Sequence, residues 1–174
     1  MSDLSPAVEE ETESEQPEIP EASVEMLHGS AVTSAAGQTV LHPTKDGYHD
    51  LVQTLKDEGY GVCIDLCGAD YLGNETRSLP ITISGERFEL VVNLLDVHGS
   101  RRIRIRLQVS EADPVVATIT DIHPGAEAME REANDMFGLE FEGHPDPSPI
   151  LLPDDLFFSE ISCLTQLSSI YRDT

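Results

Sequence analysis

Basic side chains are scarce in this chain, which has 10 Lys and Arg against 33 Asp and Glu and a formal net charge of −23. A protein this acidic repels phosphate groups, which argues against nonspecific binding to nucleic acid or to an anionic membrane. Residues 1–44 hold nine acidic side chains and no lysine or arginine. The rest of the chain still carries 24 acidic and 10 basic residues, so the acidity is general.

Long apolar runs are also missing. No stretch approaches the roughly 20 apolar residues that a membrane-spanning helix needs. The N-terminus has neither the basic start nor the apolar core of a secretory signal, and an arginine-rich transit peptide is absent. We therefore expect a cytoplasmic protein that reaches a membrane only through protein partners.

Cysteine is rare as well, with three in the chain, an odd number that fits a reducing compartment and free thiols. Cys63 and Cys67 have an even spacing on a predicted strand, so we expect both on the same face. A metal site needs about four ligands, and no other Cys or His has a suitable spacing nearby. Partly buried structural thiols are the favoured interpretation.

The common catalytic motifs are absent: Gly-x-Ser-x-Gly, the P-loop, Gly-x-Gly-x-x-Gly after a strand, and His-Glu-x-x-His. Glu130, Glu132 and Asp135 would be candidate acid or base groups if they were buried. Pairing of these carboxylates with Arg131 is the simpler, structural interpretation. We predict no independent catalysis by this chain.

Composition divides the chain into three parts. Residues 1–26 are rich in Glu, Pro and Ser and poor in large apolar groups, which predicts a disordered acidic arm. Residues 27–40 are small and polar and indicate a linker or a weak first strand. We assign residues 1–40 to the arm and linker, 41–155 to a folded α/β domain, and 156–174 to a tail. The tail is either a short amphipathic helix or a loose segment.

A first helix is predicted from a cap at Thr44 to about Glu58, with Gly59 ending it. Residues at helical spacing form its apolar face: Tyr48, Leu51, Val52 and Leu55. A strand over residues 60–69 follows.

Two longer strands, residues 87–96 and 101–109, are predicted to form a hairpin. The first is apolar on both faces and so resembles a covered central strand: Phe88, Leu90, Val92 and Leu94 face one way, Val91 and Leu95 the other. The second alternates Ile103, Ile105 and Leu107 with an arginine stripe made of Arg102, Arg104 and Arg106. The stripe either pairs with the protein's own carboxylates or meets an acidic partner surface, and the sequence leaves both open.

Pro114 is predicted to start a short helical segment, and residues 125–137 a longer helix that Gly138 ends in a left-handed cap. One face of that helix suits packing on a sheet: Ala126, Met129, Ala133 and Phe137. On another face lie Glu127, Arg131 and Asp135, where each ion pair would add roughly 0.2–0.5 kcal/mol. The element order predicts a two-layer α/β (α+β) domain with a mixed β-sheet covered by helices.

Residues 130–155 read EREANDMFGLEFEGHPDPSPILLPDD, which joins a charged helix end, a glycine stop, a Gly-His-Pro turn and an apolar run. This order resembles the signature of the C subunit family, the 30 kDa-type subunit of proton-pumping NADH:quinone oxidoreductase (respiratory complex I). The matching positions are Glu130, Arg131, Glu132, Asp135, Met136, Phe137, Gly138, Leu139, Phe141, Gly143, His144, Pro145, Asp146, Ile150, Leu151, Asp154 and Asp155. Upstream segments are similar too, so the resemblance spans about residues 40–155.

The chain departs from the family pattern in three places. Asn134 stands where members usually have an aromatic residue, and Ser148 and Pro149 stand where they tend to have arginine. Beyond Asp155 the usual W-x-G-x-P-L-R-K-D-Y continuation is replaced by LFFSE. The tail 156–174 is therefore atypical, by natural divergence or by a frameshift or truncation.

The resemblance implies a subunit with no catalytic, cofactor-binding or metal-binding residues of its own, while FMN and iron–sulfur clusters belong to partner subunits. It implies partners in the hydrophilic arm, chiefly the quinone-site subunit and adjacent iron–sulfur subunits, and a peripheral position on the cytoplasmic side of the cell membrane. The expected interface residues are those of the motif: Glu130, Arg131, Glu132, Asp135, Phe137, Gly138, Gly143, His144 and Pro145. His144 also suggests a role in quinone protonation, but a His between Gly and Pro is more often a turn or interface residue.

A second hypothesis is a stand-alone soluble protein-binding domain, a degenerate paralogue that no longer assembles. An assembly subunit would co-purify with a membrane-bound complex containing FMN and iron–sulfur clusters. A stand-alone domain would run as a monomer or small homo-oligomer.

Overall fold

The computed structural model describes residues 25–74 and 77–151. Eight strands and two α-helices occur in these ranges. The strands are β1 (Met26–Leu27), β2 (Ser30–Ala35), β3 (Gln38–His42), β4 (Val62–Asp70), β5 (Phe88–Asp96), β6 (Arg101–Val109), β7 (Val115–Ala117) and β8 (Glu140–Glu142). The helices are α1 (Tyr48–Asp57) and α2 (Glu127–Phe137), and a 3₁₀ helix (Pro124–Ala126) precedes α2.

Six strands form one mixed sheet in the order β1-β2-β3-β6-β5-β4. The β3–β6 pair is parallel and the other neighbours are antiparallel. The short strands β7 and β8 form a separate parallel pair. This arrangement confirms the predicted two-layer α+β class with a mixed sheet, while the predicted acidic arm lies almost wholly outside the described residues.

The core lies between one face of the sheet and the helices. The predicted apolar face of α1 is buried there, and so are the predicted inner residues of β5 and β6: Tyr48, Leu51, Val52, Leu55, Phe88, Leu90, Val92, Leu94, Ile103, Ile105 and Leu107. Period-two and period-3.6 patterns therefore identified the core correctly. On the opposite face of β5, Val91 and Leu95 are only half-buried, so the predicted cover on both sides is incomplete.

The first helix begins at Tyr48 with Gly47 at its N-cap, so the predicted cap at Thr44 is wrong. The hydroxyl of Thr44 accepts a hydrogen bond from the Gly47 N–H at 3.3 Å, so this residue stabilises the turn before the helix. The end of the helix is as expected, since Gly59 has φ +106° and donates to the Lys56 carbonyl at 3.0 Å.

The helical segment predicted from Pro114 is wrong, because residues 115–117 form β7. Its β-branched valines favour an extended backbone. The backbone hydrogen bonds are supplied by β8, whose Glu140 N–H also donates to the Pro114 carbonyl at 2.9 Å. A partner strand more than twenty residues away in sequence thus decides the conformation.

The N-terminal boundary of the sheet also differs from the sequence assignment. Residues 27–40 were expected to form a linker or a weak first strand, and the strand alternative is confirmed, since Leu27 of β1, all of β2 and residues 38–40 of β3 lie there. The sheet begins at Met26, ahead of the domain start predicted at residue 41.

A β-bulge changes the direction of side chains in β4. Cys63 is opposite Leu94, Asp65 is opposite Asn93, and the register shifts between them. Because one inserted residue reverses the alternation, Cys63 packs against the core while Cys67, opposite Val91, lies on the other face. The prediction that both thiols share a face is therefore wrong.

The contact between β4 and α2 depends on a glycine. A Cβ atom at Gly68 would lie 2.4 Å from Cδ2 of Phe137, which is closer than real Cβ atoms come to other atoms. The ring of Phe137 therefore packs directly on the backbone of β4, and this contact sets the distance between helix and strand.

Replacing Gly68 with Ala should lower the free energy of unfolding by about 1–3 kcal/mol, because the methyl group overpacks this contact. Gly125→Ala is the matched control, since a Cβ there meets nothing within 4 Å. Urea unfolding of both variants tests the prediction. Equal stability of the two variants would contradict it.

Candidate functional site

The candidate site is the motif region, built from α2, β8 and the segment that follows them. Gly138 ends α2 in the predicted left-handed conformation, with φ +68° and ψ +27°. The Asn134 side chain donates to the Leu139 carbonyl at 2.9 Å, so this departure from the family pattern holds the turn after the helix. The chain then returns along α2 as residues 144–151.

Arg131 holds the returning segment through its backbone. Its guanidinium donates to the Ser148 carbonyl at 2.8 Å, and to the Ser148 hydroxyl and the Pro149 carbonyl at 3.0 Å each. Its ion pair is with Asp146 at 3.7 Å. The expected pairing of Arg131 with Glu127 along the helix does not form, because the neighbouring segment offers the guanidinium several acceptors.

Asp135 holds the end of the same segment. Its buried carboxylate oxygen Oδ2 accepts hydrogen bonds from the backbone N–H groups of Ile150 and Leu151, both at 2.7 Å. Hydrogen bonds to a charged acceptor are the stronger kind, about 1.5–3 kcal/mol each. Arg131 and Asp135 together form what we call the segment clamp.

Glu130 points the other way, into the protein, and is fully buried. Its carboxylate accepts from the Thr118 hydroxyl at 2.5 Å and from the Ile119 N–H at 2.8 Å. Burial raises the pKa of Glu130 above its ordinary value, while these hydrogen bonds and His144 oppose the rise. No pattern in the sequence indicates that Thr118 and Ile119 belong to this site, because nothing links them to Glu130 except the fold.

His144 lies in a turn and joins it to α2. Its side chain is 3% exposed. Its Nδ1 accepts from the Asp146 N–H at 3.1 Å, so Nε2 carries the proton and donates to the Glu127 carbonyl at 3.1 Å. The turn itself needs Gly143 at φ +85°. Both ring nitrogens are thus used within the chain.

The other motif residues are divided between the core and the surface. Phe137 packs against the core, while Glu132 and Pro145 are exposed. Within residues 25–74 and 77–151, no group of three or more His, Cys, Asp or Glu side chains is arranged to hold a metal ion. Neither α-helix in these ranges is long and apolar enough to cross a membrane.

The arginine stripe lies on the outer face of the sheet and is not uniform. Arg106 forms a two-point contact with the buried carboxylate of Glu89, at 2.7 and 2.9 Å, and reaches the Ser78 carbonyl at 3.1 Å. Burial alone would lower the pKa of Arg106, but the hydrogen bond and charge of Glu89 raise it. The loop that contains Ser78 therefore lies over this end of the stripe.

The other two arginines are less engaged. Arg104 is half-buried and donates to the Asn93 side-chain oxygen at 2.9 Å, and that acceptor is neutral. Arg102 is exposed, and within the described residues it has no hydrogen bond or ion pair. Arg106 is therefore paired with the protein's own carboxylate. The part of the arginine stripe that stays exposed is its end at Arg102.

Comparison with known proteins bears on this region directly. Residues 41–162 match the family described as respiratory-chain NADH dehydrogenase, 30 Kd subunit. The chain belongs to this family. The matched region contains the segment clamp and the arginine stripe, while β1 and β2 lie ahead of it.

Individual family members show the same likeness. The chain is 38% identical over 122 residues to the C subunit of NADH-quinone oxidoreductase from Roseiflexus castenholzii, covering 68% of this chain and 64% of that protein. It is 37% identical over 124 residues to the corresponding protein of Neisseria meningitidis, covering 69% and 61%. The chain therefore spans less than two thirds of the length of these relatives.

Solved structures share the fold. A trypsin-resistant fragment of Nqo5 superposes with a TM-score of 0.60 at 31% identity, covering 68% of this chain and 89% of the fragment. A chain of an archaeal membrane-bound sulfane sulfur reductase, described as a respiratory membrane complex, gives 0.59 at 21% identity over 72% and 69%. The second likeness concerns the fold alone.

The contribution of the segment clamp to stability should be measurable. Asp135→Ala removes the acceptor for two backbone N–H groups and should cost about 1–3 kcal/mol of unfolding free energy. Amide hydrogen exchange at residues 150 and 151 should become faster. The control is Glu132→Ala, an exposed position on the same helix. Unchanged exchange at both amides in Asp135→Ala would show that the clamp does not hold the segment.

Proposed function

We propose that this chain is a cofactor-free assembly subunit in the hydrophilic arm of a proton-pumping NADH:quinone oxidoreductase, on the cytoplasmic side of the membrane. Its partners are the quinone-site subunit and adjacent iron–sulfur subunits. Those proteins transfer electrons from NADH through FMN and clusters to quinone. The contribution of this chain is a shaped surface that holds its neighbours in register.

The family match over residues 41–162 carries the proposal. The geometry of the motif supports it, because the charged motif side chains hold the chain's own backbone. Glu130 holds the segment after β7, and Arg131 and Asp135 hold residues 146–151. Side chains used in this way fix the shape of a surface and are not free to react with a substrate.

The experiment is affinity purification of the tagged full-length chain from solubilised membranes of cells whose own copy has been deleted. The chain should be recovered in a large complex that contains FMN and iron–sulfur clusters and oxidises NADH with a quinone. Recovery as a monomer or small homo-oligomer in the cytosol would contradict the proposal and favour a stand-alone domain.

The arginine stripe provides a second test. Arg104→Glu removes only a hydrogen bond to a neutral acceptor, so the melting temperature should fall little. Recovery with the complex should fall roughly tenfold, because the substitution reverses a charge on the proposed partner surface. Arg106→Glu is the contrast, because it leaves the buried Glu89 without its main partner and should cost about 3–5 kcal/mol of unfolding free energy.

Both variants are measured for recovery with the complex and for thermal unfolding. If Arg104→Glu lowers the melting temperature markedly while recovery with the complex stays near that of the wild type, the stripe stabilises the fold and does not bind a partner.

A further inference from the structure

Within the described part of the chain, one edge of the six-stranded sheet is long and unpaired. Among the strands of residues 25–74 and 77–151, β4 is nine residues long and pairs only with β5, whereas the opposite edge strand β1 has two residues. An unpaired edge presents backbone N–H and C=O groups to which another strand can add. Proteins usually protect such an edge with charged residues, proline, a β-bulge or a covering segment.

The protection of β4 is partial. Its sequence, VCIDLCGAD, contains no lysine and no proline, and the bulge between Cys63 and Asp65 protects only the first part of the strand, since residues 65–70 keep a regular register with β5. Two apolar side chains are open to solvent, Val62 at 43% and the bulged residue Ile64 at 42%. The edge is therefore able to form both backbone hydrogen bonds and apolar contacts.

The flank of α2 lies beside this edge. The Phe137 ring packs on Gly68, and Glu132 is close enough to Cys67 to help raise the thiol's pKa, after burial and Asp65. Met136 is one helical turn beyond Glu132 and is 42% exposed. Exposed apolar residues thus occur on both elements, Val62 and Ile64 on β4 and Met136 on α2.

Charge selects what can bind here. Asp65 and Glu132 are exposed on β4 and α2, and at Cys67, beyond the effect of burial, their charges raise the pKa while Arg104, two strands away from Asp65, lowers it by less. The apolar residues of β4 therefore have mainly acidic neighbours. A second copy would bring the same carboxylates, and the net charge of −23, against each other. A basic partner would instead be attracted.

We propose that the β4 edge is an interaction surface that receives a basic strand of a partner subunit by β-strand addition, with its apolar side chains against Ile64 and Met136. The partner belongs to the same complex, so the inference rests on the proposed function. It adds to that function the edge that is used and the chemistry of the partner.

The test compares two charges at one exposed position. Ile64→Lys should reduce recovery of the tagged full-length chain with the membrane complex roughly tenfold, because it places a cation against a basic strand. Ile64→Glu should reduce recovery less than about threefold, since its charge is attractive there. Val97→Lys, in the β5–β6 turn and 60% exposed, is the control and should be recovered like the wild type. Unchanged melting temperatures establish that all three variants fold.

A direct readout comes from amide hydrogen exchange. Amides of residues 62–70 should exchange more slowly in the purified complex than in the isolated full-length chain, while those of residues 97–100 should not change.

Several outcomes would overturn the inference. These are wild-type recovery of Ile64→Lys, β4 amides that the complex leaves unprotected, or a larger loss for Glu than for Lys. A wild-type homodimer that Ile64→Lys dissociates would show a second copy at the edge. If the wild-type chain is not recovered with the complex at all, the proposed function fails and this inference with it.

Discussion

The buried carboxylate of Glu130 constrains the whole motif region. A charge taken out of water without hydrogen-bond partners costs several kcal/mol, so α2 must lie where Glu130 can reach donors. Thr118 and Ile119 supply them from the segment after β7. That segment is in turn fixed by the β7–β8 pair, and β8 directly follows α2. The Glu130 side chain thus connects α2 to the β7–β8 pair and, through that pair, to the turn between α2 and β8.

The clamp on the opposite side of α2 depends on this placement. With Glu130 turned inward, Arg131 and Asp135 face the returning chain and take up its carbonyl and N–H groups. His144 completes the connection by bridging the turn to the Glu127 carbonyl. A run of charged residues whose spacing predicted ion pairs along the helix is therefore the structural support of the segment after it. The charged residues of the motif and their order therefore belong together, because Glu130, Arg131 and Asp135 each bind backbone that the rest of the motif region positions.

The patterns that could be predicted from sequence are those set by local geometry. The alternation of β6 and the apolar face of α1 follow from side-chain periods of two and 3.6, and both faces are buried as expected. The predictions fail where a segment distant in sequence determines the local structure. β7 needs β8 as its partner, the bulge in β4 is set by its register with β5, and Arg131 finds acceptors 17 and 18 residues away. Spacing along one helix identifies only neighbours on that helix, so it suggested ion pairs that the returning chain displaces.

The charged residues divide into those that make contacts within the chain and those that are exposed. A chain with three times as many acidic as basic residues has few cations available for a surface, and Arg106 and Arg131 are committed to internal contacts. Exposed positive charge on the outer sheet face is therefore concentrated near Arg102, while Asp65 and Glu132 leave the β4 edge acidic. In the proposed assembly role, two surfaces of opposite sign on one sheet would fix which partner binds where, because exchanging the partners would bring like charges together. This asymmetry would then matter more than the strength of either contact.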